Sequence, residues 1–353
     1  EGGATIPFIS RYRKEATGGL NEVQVAQIND LNTQLGELVH RREYILETIE
    51  AQGKLTDALR QRISECWDAT MLEDIYLPFK PKRKTRAEAA RQKGLEPLAQ
   101  QLMLTPHVNP MKAAEKFVTE EVPDVEAALQ GARDIIAEHV SEDERTRQTL
   151  RHTFECTAVI SSKVVKSKME EAGKFRDYFD WQEPLRRCSS HRLLAMRRGE
   201  AEGFLRLSIA PANDEETLSR LSRHYVKPGT PAAPQMQLAL ADAYKRLLRP
   251  SIENEFATSS KQKADDEAIL VFAENLKQLL LAAPLGQRRI MGIDPGFRTG
   301  CKVVCLDAQG NLLHNETIYP HQPQNQWGRS ACRIATMADQ YAIEAIAIGN
   351  GTA

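Results

Sequence analysis

The hydrophobic period of this chain changes at Pro284, and no other feature of the sequence narrows the fold as much. Upstream, apolar residues recur at three- and four-residue steps, the signature of amphipathic helices. Val25, Ile28, Leu31, Leu35, Leu38, Ile45 and Ile49 follow this spacing between Val23 and Ala51, and Gly53 supplies a stop. Downstream, Arg289 to Asp294, Gly300 to Asp307 and Leu312 to Tyr319 read as strands separated by turn residues such as Ala308-Gln309-Gly310-Asn311. A helical segment from about Gln326 to Tyr341 and the apolar run Ala345 to Ile348 complete a β-β-β-α-β order. A strand after a crossover helix normally pairs parallel to a central strand, so Ile346 to Ile348 is expected beside Ile290 to Asp294.

That order is the first half of a ribonuclease-H-like sheet. The expected fold class is therefore multidomain and mainly α, a helical N-terminal region followed by a partial α/β domain. Within the helical part, two β-like runs, Thr157 to Val165 and Phe204 to Ile209, could pair as a small sheet. Leu77-Pro78-Phe79-Lys80-Pro81 reads as a stiff extended connector, because proline removes an amide donor and restricts its predecessor. Thr85 with Glu88, and Ser141 with Glu144, have capping-box spacing, so each is expected to open a charged helix. Pro228, Pro231 and Pro234 mark a linker before two helical stretches, about 235–256 and 262–282. The expected division is a helical region over 1–156, a mixed α/β insert over 157–228, a helical connector over 229–288 and the ribonuclease-H-like domain over 289–353.

Net charge is −1, which conceals strong segregation. Residues 80–93 carry Lys80, Lys82, Arg83, Lys84, Arg86, Arg91 and Lys93 against one acid, Glu88. Residues 186–198 carry Arg186, Arg187, Arg192, Arg197 and Arg198 with no acid, whereas 115–145 hold ten acids against Lys116, Arg133 and Arg145. Basic patches on a neutral chain suggest a polyanionic partner, although a single charge run is more often a solvated face. No apolar run approaches about 18 residues, so no membrane-spanning helix is expected. Six dispersed cysteines include no zinc-finger spacing, and Cys301 and Cys305, four apart on a strand, are expected as buried thiols. A cytoplasmic location fits. The chain starts at Glu1 and stops at Gly351-Thr352-Ala353 directly after a strand-like run, so it reads as a fragment.

Asp294 is the candidate for chemistry. A carboxylate at the end of a first strand, followed by the glycine turn Pro295-Gly296, is where nucleases of this fold hold paired Mg²⁺ ions that clamp a phosphodiester. The same strand-Asp-x-Gly turn opens sugar kinases and actin-like ATPases, in which Gly296, Gly349 and Gly351 would face phosphate. Gly349-Asn350-Gly351-Thr352 is expected beside Asp294. A two-metal nuclease needs further carboxylates, yet nothing acidic follows Glu344, which lies before its strand at the wrong end of the sheet. The preferred expectation is a vestigial Asp294 that buttresses its turn, with no cofactor; a metal at Asp294, Mg²⁺, belongs only to the nuclease alternative. Eight histidines form no HExxH pattern, and Ser189-Ser190-His191 reads as a helix cap rather than a nucleophile with its base. Trp67, Trp181 and Trp327 are expected in the core rather than as base-stacking platforms.

Five segments resemble the bacterial Tex family of transcription accessory proteins: IPFISRYRKEATGGL from Ile6, YLPFKPKRKTR from Tyr76, SHRLLAMRRGE from Ser190, DPGFRTGCK from Asp294 and IGNGT from Ile348. The resemblance implies a large nucleic-acid-binding protein of transcription, similar in architecture to a eukaryotic elongation factor that also handles histones. It implies a helical N-terminal region with helix-turn-helix-like parts and a YqgF-type ribonuclease-H-like domain, then helix-hairpin-helix modules and a C-terminal OB-fold that carries much of the RNA or DNA binding. Only the first half of that plan is matched here. The partners expected are RNA or DNA and the transcription machinery, with no membrane, and the phosphate contacts are assigned to Lys82, Arg83, Lys84, Arg86, Arg197 and Arg198.

Overall fold

A computed structural model describes residues 3–82, 85–296 and 299–349, and the chain divides into two compact units, Glu1–Leu270 and Val271–Ala353. The first unit is mainly helical. Its Glu22–Ala51 helix begins at a capping box the apolar spacing alone does not reveal: Asn21 Oδ1 accepts from the Gln24 amide (2.9 Å), and Gln24 Oε1 accepts from the Asn21 amide (3.0 Å). Gly53 terminates the segment at φ +67°, a value that costs glycine nothing. Leu38, Ile45 and Ile49 of this helix pack on Ile63, Leu72, Ile75 and Tyr76.

The larger core forms around the Val125–Glu142 helix, most of whose residues are buried. A side chain at Gly131 would collide with Leu95 and Ala90, so glycine is what lets this helix approach its neighbours. Beside the core, a carboxylate–guanidinium cluster joins three helices. Arg147 Nε donates to Asp74 Oδ1 (2.7 Å), and Glu255 accepts from Arg147 Nη2 (2.5 Å) and from Arg151 Nε (2.7 Å). Arg151 also pairs with Asp74, and the Asp74 side chain is only 5% exposed. Burial opposes the Arg151 charge, but hydrogen bonds to Asp74 and Glu255 outweigh it and raise its pKa.

The small sheet expected from the two β-like runs is present. Strands β1 (Ala158–Val164) and β3 (Leu205–Pro211) pair antiparallel with Ile160 opposite Ile209. A third strand, β2 (Asp180–Pro184), joins the other edge of β1. Four local expectations are corrected. Leu77–Phe79 forms a 3-10 turn continuing the preceding helix, because Pro78 stands in the first turn, where its missing amide is not needed. Ser141 lies inside the Val125–Glu142 helix with its hydroxyl turned back to the Glu138 carbonyl (2.8 Å), and Asp143 caps the next helix by accepting from the Thr146 amide (2.8 Å). The two helical stretches after Pro234 are joined: Ala233–Asp242 passes through a π-helical turn, Ala243–Leu248, into Arg249–Leu280. The wider turn just before Pro250 accommodates the missing amide and the ring. Trp67 and Trp327 are 60% and 68% exposed, so only the half-buried Trp181 approaches a core position.

In the second unit the strands β4 (Ile290–Asp294), β5 (Cys301–Leu306), β6 (Leu312–Ile318) and β7 (Ala345–Ile348) lie in the order β6-β5-β4-β7. β4, β5 and β6 form the antiparallel meander, and β7 pairs parallel to β4 with Ile290 opposite Ala345 and Ile293 opposite Ile348. The Trp327–Gln340 helix makes the crossover. Met291, Cys301, Val303, Cys305 and Ile318 meet Met337 of that helix, so both cysteines are buried on one face as their spacing requires. No helix among the described residues is long and apolar enough to cross a membrane.

Candidate nucleic-acid interface

The first basic segment divides into inward and outward charges. Thr85 starts the Arg86–Gln92 helix by accepting from the Glu88 amide (3.0 Å). Lys82, immediately upstream, turns inward and bridges Glu138 (3.0 Å) and Glu142 (2.7 Å) of the acidic helix. Arg91 follows it, binding Glu138 (2.6 Å) and Glu96 (2.9 Å). Burial disfavours the Glu138 charge, but hydrogen bonds from Arg91 and Lys82 outweigh it and hold its pKa below the ordinary carboxylate value. Glu142 has the opposite balance: its burial outweighs Lys82 and raises its pKa. Lys80, Arg86 and Lys93 are exposed and form no ion pair among the described residues. Arg83 and Lys84 lie outside the described residues.

The second segment divides in the same way. Arg192 crosses the face of Trp181 (5.0 Å from the ring centroid) to reach Glu183 (2.6 Å). Arg197 pairs with Glu200 (2.7 Å) and donates to the Ala257 carbonyl (3.3 Å). Arg186 and Arg187, in a 3-10 turn, and Arg198, on the Ser190–Ala201 helix, are exposed with no ion pair among the described residues. Ser189 stands at the N-cap of that helix, yet its side chain makes no cap bond; its hydroxyl is 3.4 Å from His191 Nε2.

The Asp294 turn occupies one end of the second sheet. Asp294 is the exposed last residue of β4, with Lys302 opposite it on β5. The Gly349 amide donates to the Ile293 carbonyl (2.9 Å), and a Cβ on Gly349 would stand 3.9 Å from Asp294 Oδ1, so Gly349 lies beside the carboxylate, while Asn350 and Thr352 lie outside the described residues. A Cβ on Gly296 would come within 2.8 Å of the Gly300 carbonyl, so glycine is what allows this close approach. Gly351 lies outside the described residues. Glu344 is at the opposite end of β7, accepting from the Arg289 amide (3.3 Å). Among the described residues no three His, Cys, Asp or Glu side chains converge as a metal site.

Comparison with known proteins matches three domain models along the chain: Tex-like protein N-terminal domain over residues 1–50, Tex central region-like over 105–272 and Tex protein YqgF-like domain over 288–353. Protein YhgF of Escherichia coli is 42% identical over 99% of this chain and 47% of its own length. Transcriptional accessory protein Tex of Neisseria gonorrhoeae is 40% identical over 99% of this chain and 46% of its own length. A human protein named S1 RNA-binding domain-containing protein 1 is 28% identical over 99% of this chain and 36% of its length. The chain spans about half the length of the bacterial relatives it matches.

Proposed function

As the chain belongs to the Tex family, we propose that it serves transcription as a non-enzymatic, nucleic-acid-binding scaffold, and that its outward basic residues supply the phosphate contacts. The observation that carries this reading is the set of exposed cations that form no ion pair among the described residues: Lys80, Arg86 and Lys93 in one segment, and Arg186, Arg187 and Arg198 in the other. An exposed guanidinium free of an internal carboxylate can exchange counterions for a phosphate without first breaking a bond within the protein. Lys82 and Arg197 are weaker contributors on this view, because each is already engaged by a carboxylate. The names of two relatives, one a transcriptional accessory protein and one an S1 RNA-binding domain protein, support RNA as the partner to test first.

The test is fluorescence anisotropy of a labelled single-stranded RNA and its DNA counterpart across a salt series. Replacing Arg186, Arg187 and Arg198 by alanine should flatten the log–log salt slope by about 2, at roughly 0.7 for each phosphate no longer neutralised. An unchanged slope would refute the assignment. A second reading, a Mg²⁺-dependent nuclease of ribonuclease-H-like type, draws on Asp294 at a strand end beside the Gly349 turn. It requires Mg²⁺-dependent cleavage that Asp294→Asn abolishes.

A further inference from the structure

The second unit holds a polar cavity of about 510 Å³ between β6 and the first turn of the Trp327–Gln340 helix. Three features of its wall favour an anion. No side chain caps that helix, and the amides of Trp327, Gly328 and Arg329 find no acceptor among the described residues; of these three residues Arg329 lines the cavity. Such a turn concentrates partial positive charge. Ser330, one residue further on, is only 4% exposed, and its hydroxyl makes no hydrogen bond among the described residues, although it lines the cavity. The Ser330 Oγ is not fully enclosed, so water or an oxygen acceptor in the cavity can accept its hydrogen bond. Arg329 also lines the space, exposed and without an ion pair among the described residues.

One carboxylate borders the cavity, Glu316, and it is already held. Arg333 Nε donates to it at 3.0 Å, and His314 Nε2 lies 3.1 Å from its other oxygen. The charge left for a ligand is that of Arg329, reinforced by the helix end. The strand register fixes the position of this cavity on the sheet. Asp294 faces Lys302, and Lys302 faces Thr317, which lines the cavity. The cavity and the Asp294 turn thus share one end of the sheet, two strand spacings or roughly 10 Å apart.

We propose that this cavity is a phosphate subsite for a nucleic-acid strand, with the side chain and amide of Arg329 and the Ser330 hydroxyl as its donors. It rests on the nucleic-acid reading above and adds a contact that neither basic segment supplies. The strand would run along the end of the sheet that carries Asp294.

The ¹⁵N-labelled chain is titrated with a short mixed-sequence single-stranded RNA, with the DNA of the same sequence, and separately with inorganic phosphate. The expected result is a saturable shift of the Gly328, Arg329 and Ser330 amides with an oligonucleotide. Arg329→Ala and Ser330→Ala should each weaken oligonucleotide affinity several-fold, and Arg329→Ala should lower the salt slope by about 0.7. Oligonucleotide binding that leaves these amides unshifted would overturn the subsite and leave the wider reading standing. Shifts with inorganic phosphate alone would overturn the assignment to a strand. No binding of either oligonucleotide would sink both.

Discussion

Two arginine clusters of the first unit, similar in composition, are in opposite physical situations. Arg147 and Arg151 are packed against Asp74 and Glu255, whereas Arg186, Arg187 and Arg198 face solvent with no ion pair among the described residues. Removing one partner of a buried pair leaves an uncompensated charge in a low-dielectric interior, so the first cluster governs stability. Screened, exposed charges contribute little to folding but are free to meet phosphate, so the second governs binding. The difference teaches that the number of arginines in a segment says nothing of their use; the carboxylates within reach decide it.

The largest effect that could break this comparison is at Asp74. Asp74→Ala takes from Arg147 and Arg151 the more deeply buried of their two carboxylates, leaving them to Glu255, and should cost about 3 kcal/mol in urea unfolding, with affinity of the folded protein unaltered. A loss below about 1 kcal/mol would mean the cluster is hydrated, and the contrast would vanish. Next comes reversal of the outward set: Arg186, Arg187 and Arg198 to glutamate should weaken RNA affinity by roughly 100-fold while unfolding shifts by about 0.5 kcal/mol or less. Circular dichroism melts and anisotropy on the same preparations would show whether the two properties separate.

A smaller effect sharpens the contrast through pH. Glu138 has a folded pKa below its ordinary value, so it contributes stability that is present above the unfolded carboxylate range and is lost as pH falls through the folded pKa. Glu138→Gln should therefore be destabilising near neutrality and nearly silent in acid. Unfolding free energies across pH check this, and a deficit that persists in acid would contradict it. The smallest effect expected is that of Arg86→Ala, a few-fold loss of affinity with a slope change of about 0.7 and no change in stability.

The sheet of the second unit was legible because period-two alternation and turn residues are local signals. The β-β-β-α-β order, the parallel pairing of β7 with β4 and the burial of Cys301 and Cys305 all follow from them. Strand β2 was not legible: Asp180–Pro184 is short and ends in proline, and its residues gain strand geometry only by pairing with β1. The π turn before Pro250 likewise answers a steric demand that apolar spacing does not record. At the candidate interface, the basic runs could be counted, but not their division into inward and outward residues. Lys82 lies sixty residues from Glu142, and only the fold brings them together. Ser330 and Arg329 carry no local signal, because a helix start without a capping residue leaves none in its own sequence.

The most direct test of the account compares salt slopes for RNA binding by the unaltered chain, by Arg186→Ala/Arg187→Ala/Arg198→Ala, and by Lys82→Ala. The account predicts a slope flatter by about 2 for the triple variant and no change for Lys82→Ala, whose ammonium is already committed to Glu138 and Glu142. A slope that falls with Lys82→Ala and holds in the triple variant would show that the inward residues make the phosphate contacts, and would contradict the central claim.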